Sequence, residues 1–219
     1  MVRTSWTAVA VAGLTLASLA CWAPAEEKTA QKEKPKKMTA DVVYVATPHD
    51  VVERMLRMVK LTKDDVVYDL GCGDGRIVVA ASKRYGCRGI GFDIDDDRVK
   101  ESRDNVKKAN LENLVEIKQE DIYTVDLGKA SVITSYLLPS MNIKLIPQYE
   151  KMKPGSRIVC HDYDIGGVKP DEVTRMTSNE DGVRHTIYLY TLPLKKDKEA
   201  KVEEEDEEDD DEDEAEVET

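Results

Sequence analysis

The stretch Val66-Val67-Tyr68-Asp69-Leu70-Gly71-Cys72-Gly73-Asp74-Gly75-Arg76-Ile77 organises this 219-residue chain. In it an apolar run ends at an acidic residue, a Gly-x-Gly-x-Gly turn follows, and helix-forming residues come next. This order predicts a strand, a tight turn and a helix whose unpaired N–H groups and positive dipole end face a ligand above the strand. Gly71 and Gly73 can adopt backbone angles that other residues avoid, and without Cβ atoms they let a ligand approach the main chain.

The spacing of these glycines separates the classes of cofactor. Dinucleotide folds carry G-x-G-x-x-G, whose third glycine stands one position later than Gly75. The run instead resembles motif I of the class I S-adenosylmethionine (AdoMet) methyltransferases, apolar-apolar-x-Asp-Leu-Gly-x-Gly-x-Gly. The resemblance implies that Gly71, Gly73 and Gly75 bind AdoMet, while Asp69 orients the glycine turn and approaches the methionine end of the cofactor. A strand-to-helix turn without a ligand is the alternative.

Short apolar runs alternate with helical patterns from Tyr44 to Leu194, which predicts a parallel sheet wound with helices. Strands are predicted at residues 66–70, 88–92, 115–118, 131–136 and 157–161, before a hairpin of residues 173–177 and 184–192. Helices are predicted from Thr47, at 75–85, at 95–109, and at 140–152 with a break at Pro147. The expected fold class is α/β: a Rossmann-like, doubly wound, mostly parallel seven-stranded sheet with an antiparallel last strand, as the resemblance also implies.

The segment ahead of the first strand has two interpretations. Thr47-Pro48-His49-Asp50 fits a helix start, with Thr47 as N-cap, Pro48 at the first helical position and Asp50 in a capping-box arrangement. In related enzymes a segment before motif I folds over the carboxylate of the cofactor, so the resemblance makes Tyr44 and Thr47 candidate cofactor-binding residues.

Acidic residues follow the second and third strands, at the sheet edge where such folds bind ligands. Asp93 stands 20 residues after Gly73, where its carboxylate can accept both ribose hydroxyls, and Ile94 can lie against the adenine. An acidic helix N-terminus is the alternative for Asp93. By resemblance, Asp121 would bond the adenine amino group and the backbone of Ile122 a ring nitrogen. A turn cap is the alternative for Asp121.

The acceptor pocket is expected after the fourth strand, at Ser135–Ser140. This segment lacks the Asn/Asp-Pro-Pro-Tyr motif of many amino-methylating enzymes, which argues against methylation of DNA or glutamine. With His161-Asp162-Tyr163-Asp164 it resembles instead the mitochondrial protein-lysine N-methyltransferases that act on the c-ring protein of ATP synthase and the adenine nucleotide translocase. Tyr136, Asp162 and His161 are the candidate catalytic residues: Tyr136 to orient an amine, and Asp162 or His161 to steer or deprotonate it. For each of these residues, the alternative is that it only forms part of the pocket wall.

The ends of the chain differ in composition from residues 41–194, the predicted methyltransferase domain. Residues 1–25 hold one early cation, a short apolar run and Ala23-Pro24-Ala25, which predicts a cleaved signal peptide or, alternatively, a membrane anchor. Residues 26–40 are predicted to be a charged linker. Residues 195–219 are predicted to be a disordered acidic tail, either solubilising or able to contact a basic partner.

Charge and cysteine content limit the classes of function. The formal charge of −12 equals that of residues 195–219, so residues 1–194 are balanced and the acidity does not describe the predicted domain. No basic patch with interleaved aromatic residues occurs, so nucleic acid is not the expected substrate. Four cysteines without C-x-x-C and three scattered histidines predict no metal site.

The leading hypothesis is an AdoMet-dependent methyltransferase that acts on an amino group, foremost a protein lysine. A small-molecule O- or N-methyltransferase and a non-catalytic AdoMet-binding protein are the alternatives. Export or membrane anchoring is expected from residues 1–25, in the periplasm if the source is bacterial. Because AdoMet is a cytosolic metabolite, a cytoplasmic function remains open.

Overall fold

The structure, a computed structural model, describes residues 44–197. The predicted signal peptide or anchor, the predicted linker and the acidic tail beyond residue 197 therefore lie outside the described residues. Along residues 44–197 the elements are, in chain order, α1 (His49–Met58), β1 (Val66–Leu70), α2 (Arg76–Tyr85), β2 (Arg88–Asp93), α3 (Asp96–Lys108), β3 (Val115–Gln119), β4 (Val132–Ser135), α4 (Pro139–Tyr149), β5 (Arg157–His161), β6 (Glu172–Thr177) and β7 (Arg184–Thr191).

The strands form one seven-stranded sheet in the order β3-β2-β1-β4-β5-β7-β6. The strands β1 to β5 pair in parallel, and β7 runs antiparallel to both β5 and β6. The predicted Rossmann-like sheet with an antiparallel last strand is confirmed. Because the chain order reverses between β1 and β4, a crevice opens beyond their carboxyl ends.

The central strands β1, β2, β4 and β5 are buried on both faces, as strands of parallel sheets are. Alternate residues of β1 point to opposite sides, so that Val67 joins the core under α1, α2 and α3, while Tyr68 and Leu70 join the core under α4. Helix α1 places Val51 and Met55 in the first of these cores, as its apolar spacing predicts. None of the helices within residues 44–197 has the length and apolarity needed to span a bilayer.

The capping-box prediction for α1 is wrong. The N-cap is Pro48, and no side chain caps the helix. The Asp50 carboxylate instead accepts hydrogen bonds from the Ser178 hydroxyl and the Asn179 N–H, each at 2.8 Å, in the turn between β6 and β7. The Thr47 hydroxyl likewise contacts a distant residue, Nδ1 of His161. Both polar side chains that the local pattern assigned to the cap therefore bond to residues far away in the sequence.

The predicted break at Pro147 is also wrong, because α4 continues through it. Pro147 lies in the last turn of the helix, where its missing N–H removes one backbone hydrogen bond and little helix remains to be disrupted. The helix packs Leu145 and Tyr149, both fully buried, against the sheet. This packing outweighs the local cost of the proline.

Candidate active site

A pocket of about 220 Å³ opens beyond the carboxyl ends of β1, β2 and β4, at the crevice of the sheet. Nine of the residues singled out from the sequence line it: Tyr44, Thr47, Asp69, Gly71, Asp93, Ile94, Asp121, Ile122 and Tyr136. Four others do not line it: Gly73, Gly75, His161 and Asp162. The fold therefore gathers at one edge residues that span more than ninety positions of sequence.

The glycine turn is held by β2. Gly71, Gly73 and Gly75 have φ values of 73°, 54° and 77°, in the left-handed region that favours glycine. The Gly73 N–H donates to Oδ2 of Asp93 at 2.8 Å. The sequence-based expectation gave this role to Asp69, whose side chain accepts a hydrogen bond from Thr134, so the described bond to the turn comes from Asp93.

Gly73 also makes room for the ring of Tyr44. A Cβ atom at position 73 would come within 2.0 Å of the Tyr44 ring, so the ring occupies the space that any other residue would fill. The Arg98 guanidinium lies over the same ring, 5.1 Å from its centroid. The segment before α1 is thus packed directly on the glycine turn.

Asp74 and Arg76, which the sequence reasoning passed over, fix this segment. The Arg76 guanidinium is paired with the Asp74 carboxylate, with Nη2 to Oδ2 at 2.7 Å, and its Nη1 donates to the Thr47 carbonyl at 2.9 Å. Both residues line the pocket. The signal was available, because the two charges stand at the polar positions of the Gly-x-Gly-x-Gly turn and the helix start.

Asp69 is a buried carboxylate with one oxygen uncommitted. Its Oδ1 accepts a hydrogen bond from the Thr134 hydroxyl at 2.7 Å, whereas Oδ2 has no partner among the described residues. Burial, together with the nearby charges of Asp93 and Asp74, raises the pKa of Asp69 to about 7 against the lowering effect of Thr134. An unpaired buried carboxylate oxygen suits a cationic ligand group.

Asp93 and Asp121 both combine a structural bond with a place in the pocket wall. Oδ1 of Asp93 accepts the Asp95 N–H at 3.0 Å, in addition to the bond from the glycine turn. Oδ1 of Asp121 accepts the Tyr123 N–H at 2.9 Å, as the turn-cap interpretation expects. Each carboxylate oxygen has two lone pairs, so these bonds leave acceptor capacity for a ligand.

Tyr136 stands one residue beyond β4 and forms the pocket wall on the far side from Asp93. Its hydroxyl donates to Oδ2 of Asp162 at 3.3 Å, and its ring lies 4.0 Å from that of His161, centroid to centroid. Burial and then the Asp162 charge raise the pKa of Tyr136 to about 12, so the phenol keeps its proton at neutral pH. Asp162 itself has a left-handed φ of 57°, and Oδ1 of its carboxylate accepts the Thr186 N–H of β7 at 2.8 Å.

His161 is fully buried behind Tyr136 and meets a second histidine that the sequence reasoning missed. Its Nδ1 lies 3.1 Å from the Thr47 hydroxyl, and its Nε2 lies 2.9 Å from Nδ1 of His185. Burial lowers the pKa of His161 to about 4, so the ring is neutral at pH 7. The histidines are therefore not scattered: two of three converge, and with Asp162 they present atoms of metal-ligand type.

The fold and this site match known methyltransferases. A family described as the ANTKMT methyltransferase domain matches residues 69–172. The chain is 42% identical over 154 residues to a protein-lysine N-methyltransferase of Saccharolobus islandicus, covering 69% of this chain and 94% of that protein. It is 27% identical over 136 residues to a lysine N-methyltransferase of Mus musculus that is named for the c-ring protein of ATP synthase, covering 60% of this chain and 53% of that protein.

A solved structure agrees with the fold. A crystal structure of an RNA methyltransferase from Salinibacter ruber, in complex with S-adenosyl-L-homocysteine, superposes with a TM-score of 0.65. That chain is 42% identical to this one, and the match covers 72% of this chain and 100% of that chain. S-adenosyl-L-homocysteine is what AdoMet becomes when its methyl group is lost.

Proposed function

The chain belongs to the ANTKMT-type family of class I AdoMet-dependent methyltransferases, and we propose that its methyl acceptor is the side-chain amine of a protein lysine. The observation that carries this proposal is the 42% identity to a protein-lysine N-methyltransferase across 94% of that protein's length. The pocket supports it, because the wall beyond β4 is formed by Tyr136, Leu137 and Met141 without an Asn/Asp-Pro-Pro-Tyr segment. An apolar wall with one phenol suits the aliphatic stem and terminal amine of lysine.

The pocket residues fit AdoMet. The unpartnered Oδ2 of Asp69 is placed to accept the ammonium group of the methionine part. We assign the ribose hydroxyls to the remaining lone pairs of Asp93, and the adenine to Asp121 with the apolar side chains of Ile94 and Ile122. Because the left-handed glycines have no side chains, the main chain beside these groups stays accessible to the cofactor.

Tyr136 is proposed as the residue that contacts the acceptor amine. When bound, AdoMet supplies an activated methyl group on a sulfonium, so the protein chiefly provides alignment. Tyr136 lies in the pocket wall, and contacts with Asp162 and His161 hold its hydroxyl and its ring. His161, which is fully buried, acts as a positioning residue through Tyr136 and Thr47. A lysine amine, with an ordinary pKa near 10.4, must arrive without its proton for attack.

A transfer assay tests the acceptor. The purified chain is incubated with methyl-labelled AdoMet and a lysate of the source cells, and the products are digested separately with protease and with ribonuclease. We expect label that is protease-sensitive, ribonuclease-resistant and recovered as methyl-lysine after hydrolysis. Label released by ribonuclease would identify RNA as the acceptor, in line with the name of the Salinibacter protein. Label only in small molecules would favour a small-molecule acceptor, and either outcome contradicts the lysine proposal.

AdoMet affinity is expected to rise with pH through the titration of Asp69. Because the ammonium group of AdoMet prefers the ionised carboxylate, binding requires loss of a proton whose pKa in the free protein is about 7. Because one proton must be lost on binding, the affinity for AdoMet should fall about tenfold from pH 8 to pH 6. Calorimetry across this pH range would measure the change. The Asp69→Asn variant should bind more weakly at pH 8 and show a flatter pH profile. An unchanged slope in that variant would assign the dependence to another group.

We keep two further proposals for the ends of the chain, both supported by composition. Residues 1–25 direct export or anchor the protein to a membrane, and the acidic residues after position 197 contact a basic partner. Mass spectrometry of the protein from its source cells locates the mature N-terminus. A start at position 1 in a soluble cytosolic fraction would contradict the export proposal.

A further inference from the structure

Three side chains at the ends of β5 and β7, which we call the strand-end cluster, bring their ligand atoms to one point: His161, Asp162 and His185. Nε2 of His161 lies 2.9 Å from Nδ1 of His185, and that atom lies 2.9 Å from Oδ2 of Asp162. The third side of the triangle, from Nε2 of His161 to Oδ2 of Asp162, measures 3.3 Å. His161 is fully buried and the side chain of His185 is 7% exposed.

Each member of the strand-end cluster is fixed by a partner on its outer side. Nδ1 of His161 lies 3.1 Å from the Thr47 hydroxyl, and Nε2 of His185 lies 3.2 Å from Oδ2 of Asp181. Oδ1 of Asp162 accepts the Thr186 N–H at 2.8 Å. Such outer partners orient metal-binding side chains in proteins and keep the inner atoms available.

The strand-end cluster has fewer protons than contacts. Both nitrogens of His185 face carboxylates, Nδ1 that of Asp162 at 2.9 Å and Nε2 that of Asp181 at 3.2 Å. A neutral imidazole carries one proton and a carboxylate only accepts, so one of these two contacts is acceptor against acceptor. A cation among the inner atoms removes the conflict, because the ring proton can then stand on Nε2 and serve Asp181.

We propose that His161 Nε2, His185 Nδ1 and Asp162 Oδ2 form a binding site for a divalent transition-metal ion. Two imidazoles and one carboxylate are the ligand set that zinc accepts at sites with a fourth position open. Bonds of about 2.0–2.1 Å at tetrahedral angles separate ligand atoms by roughly 3.3 Å, close to the sides of the triangle. His161 and His185 are 24 residues apart along the chain, on two antiparallel strands, so no short sequence motif predicts this ligand set.

The site adjoins the pocket through two residues. Thr47 and Tyr136 both line the pocket, and they contact His161 and Asp162 respectively. A bound ion would tie β5 to β7 and fix the wall that holds Tyr136. The proposal concerns the cluster alone and holds whatever the methyl acceptor is.

Zinc binding to the full chain tests the proposal. The protein is stripped with a chelator, equilibrated with zinc chloride, separated from free ion and analysed for zinc by mass spectrometry. We expect the wild type to retain about one ion per chain, and the His185→Asn variant to lose it. Cobalt(II), which substitutes for zinc, should give the visible spectrum of a four-coordinate site in the wild type alone.

Matched variants separate this site from adventitious binding. His49→Asn removes the third histidine, which is exposed at the start of α1 and does not belong to the strand-end cluster. This variant should bind zinc like the wild type. Asp181→Asn changes an outer partner whose side chain is 40% exposed, and should weaken zinc about 10–100-fold. Retained AdoMet binding shows that a variant is folded. If His185→Asn fails that check, Asp181→Asn provides the comparison.

Two outcomes would overturn the proposal. Equal zinc affinity in the wild type and in the folded His185→Asn and Asp181→Asn variants would place the ion elsewhere, on the buried thiols or the acidic residues after position 197. No zinc bound by the wild type would leave a proton as the cation of the strand-end cluster. In that case His185 is an imidazolium, consistent with the two carboxylates, which raise its pKa by more than burial lowers it.

Discussion

Replacing Asp93 by alanine is expected to weaken AdoMet binding by at least about 100-fold. The carboxylate accepts two backbone N–H groups, from Gly73 and Asp95, and so joins the glycine turn to the loop before α3. It also carries the proposed bonds to the ribose. Hydrogen bonds to a charged group contribute about 1.5–3 kcal/mol each, so two of them account for the expected loss. Isothermal calorimetry with AdoMet measures it.

A nearby aspartate provides the matched control for this variant. Asp97 is exposed in the first turn of α3, and its replacement by alanine removes the same charge without touching the glycine turn. Asp97→Ala should bind AdoMet within about twofold of the wild type, in keeping with the small effects of surface substitutions. Equal losses in the two variants would mean that net charge, rather than the Asp93 contacts, governs binding.

The Tyr136→Phe variant is expected to lower kcat about 100-fold while the AdoMet affinity stays unchanged. Removing the phenol oxygen takes away the group proposed to align the acceptor amine, and positioned polar groups of this kind contribute about 10²-fold or more. The ring, its packing on His161 and the pocket shape all remain. Transfer of label from AdoMet to the protein substrate, measured at saturating cofactor, gives kcat.

Tyr163 is the control for Tyr136. Its ring stacks on that of Tyr136 at 6.0 Å between centroids, and its side chain is exposed. Tyr163→Phe removes an equivalent hydroxyl outside the pocket wall and should leave kcat within about twofold, as surface changes do. If Tyr136→Phe changed only the KM for the acceptor, the phenol would bind the substrate without aligning it for transfer.

The periodic parts of the sequence predicted the fold well. Apolar runs of strand length, separated by helical patterns, placed all seven strands within two residues of their observed bounds. The glycine spacing identified the methyl donor, because a turn of this shape depends on local backbone angles that only glycine adopts easily. Predictions from these features are correct because each feature depends on neighbouring residues in the sequence.

The failed helix-cap prediction has one cause, which is competition from distant partners. Thr47 and Asp50 have the residue types of a helix cap, yet His161 and Ser178 bond them instead. The sequence signal for His185 was weaker. His185 lies two residues before the buried Ile187 in β7, so both side chains are on the same, buried face of that strand. Its partner could be found only once the pairing of β7 with β5 was known.

The packing of Tyr44 on Gly73 makes the segment before α1 a part of the cofactor pocket. Tyr44 lines the pocket, and its ring fills the space that a side chain at position 73 would need. The Arg98 guanidinium over the same ring joins this segment to α3 as well. The glycine turn therefore has two tasks, since it leaves the main chain open to the cofactor and also accepts the ring that completes the wall beside it.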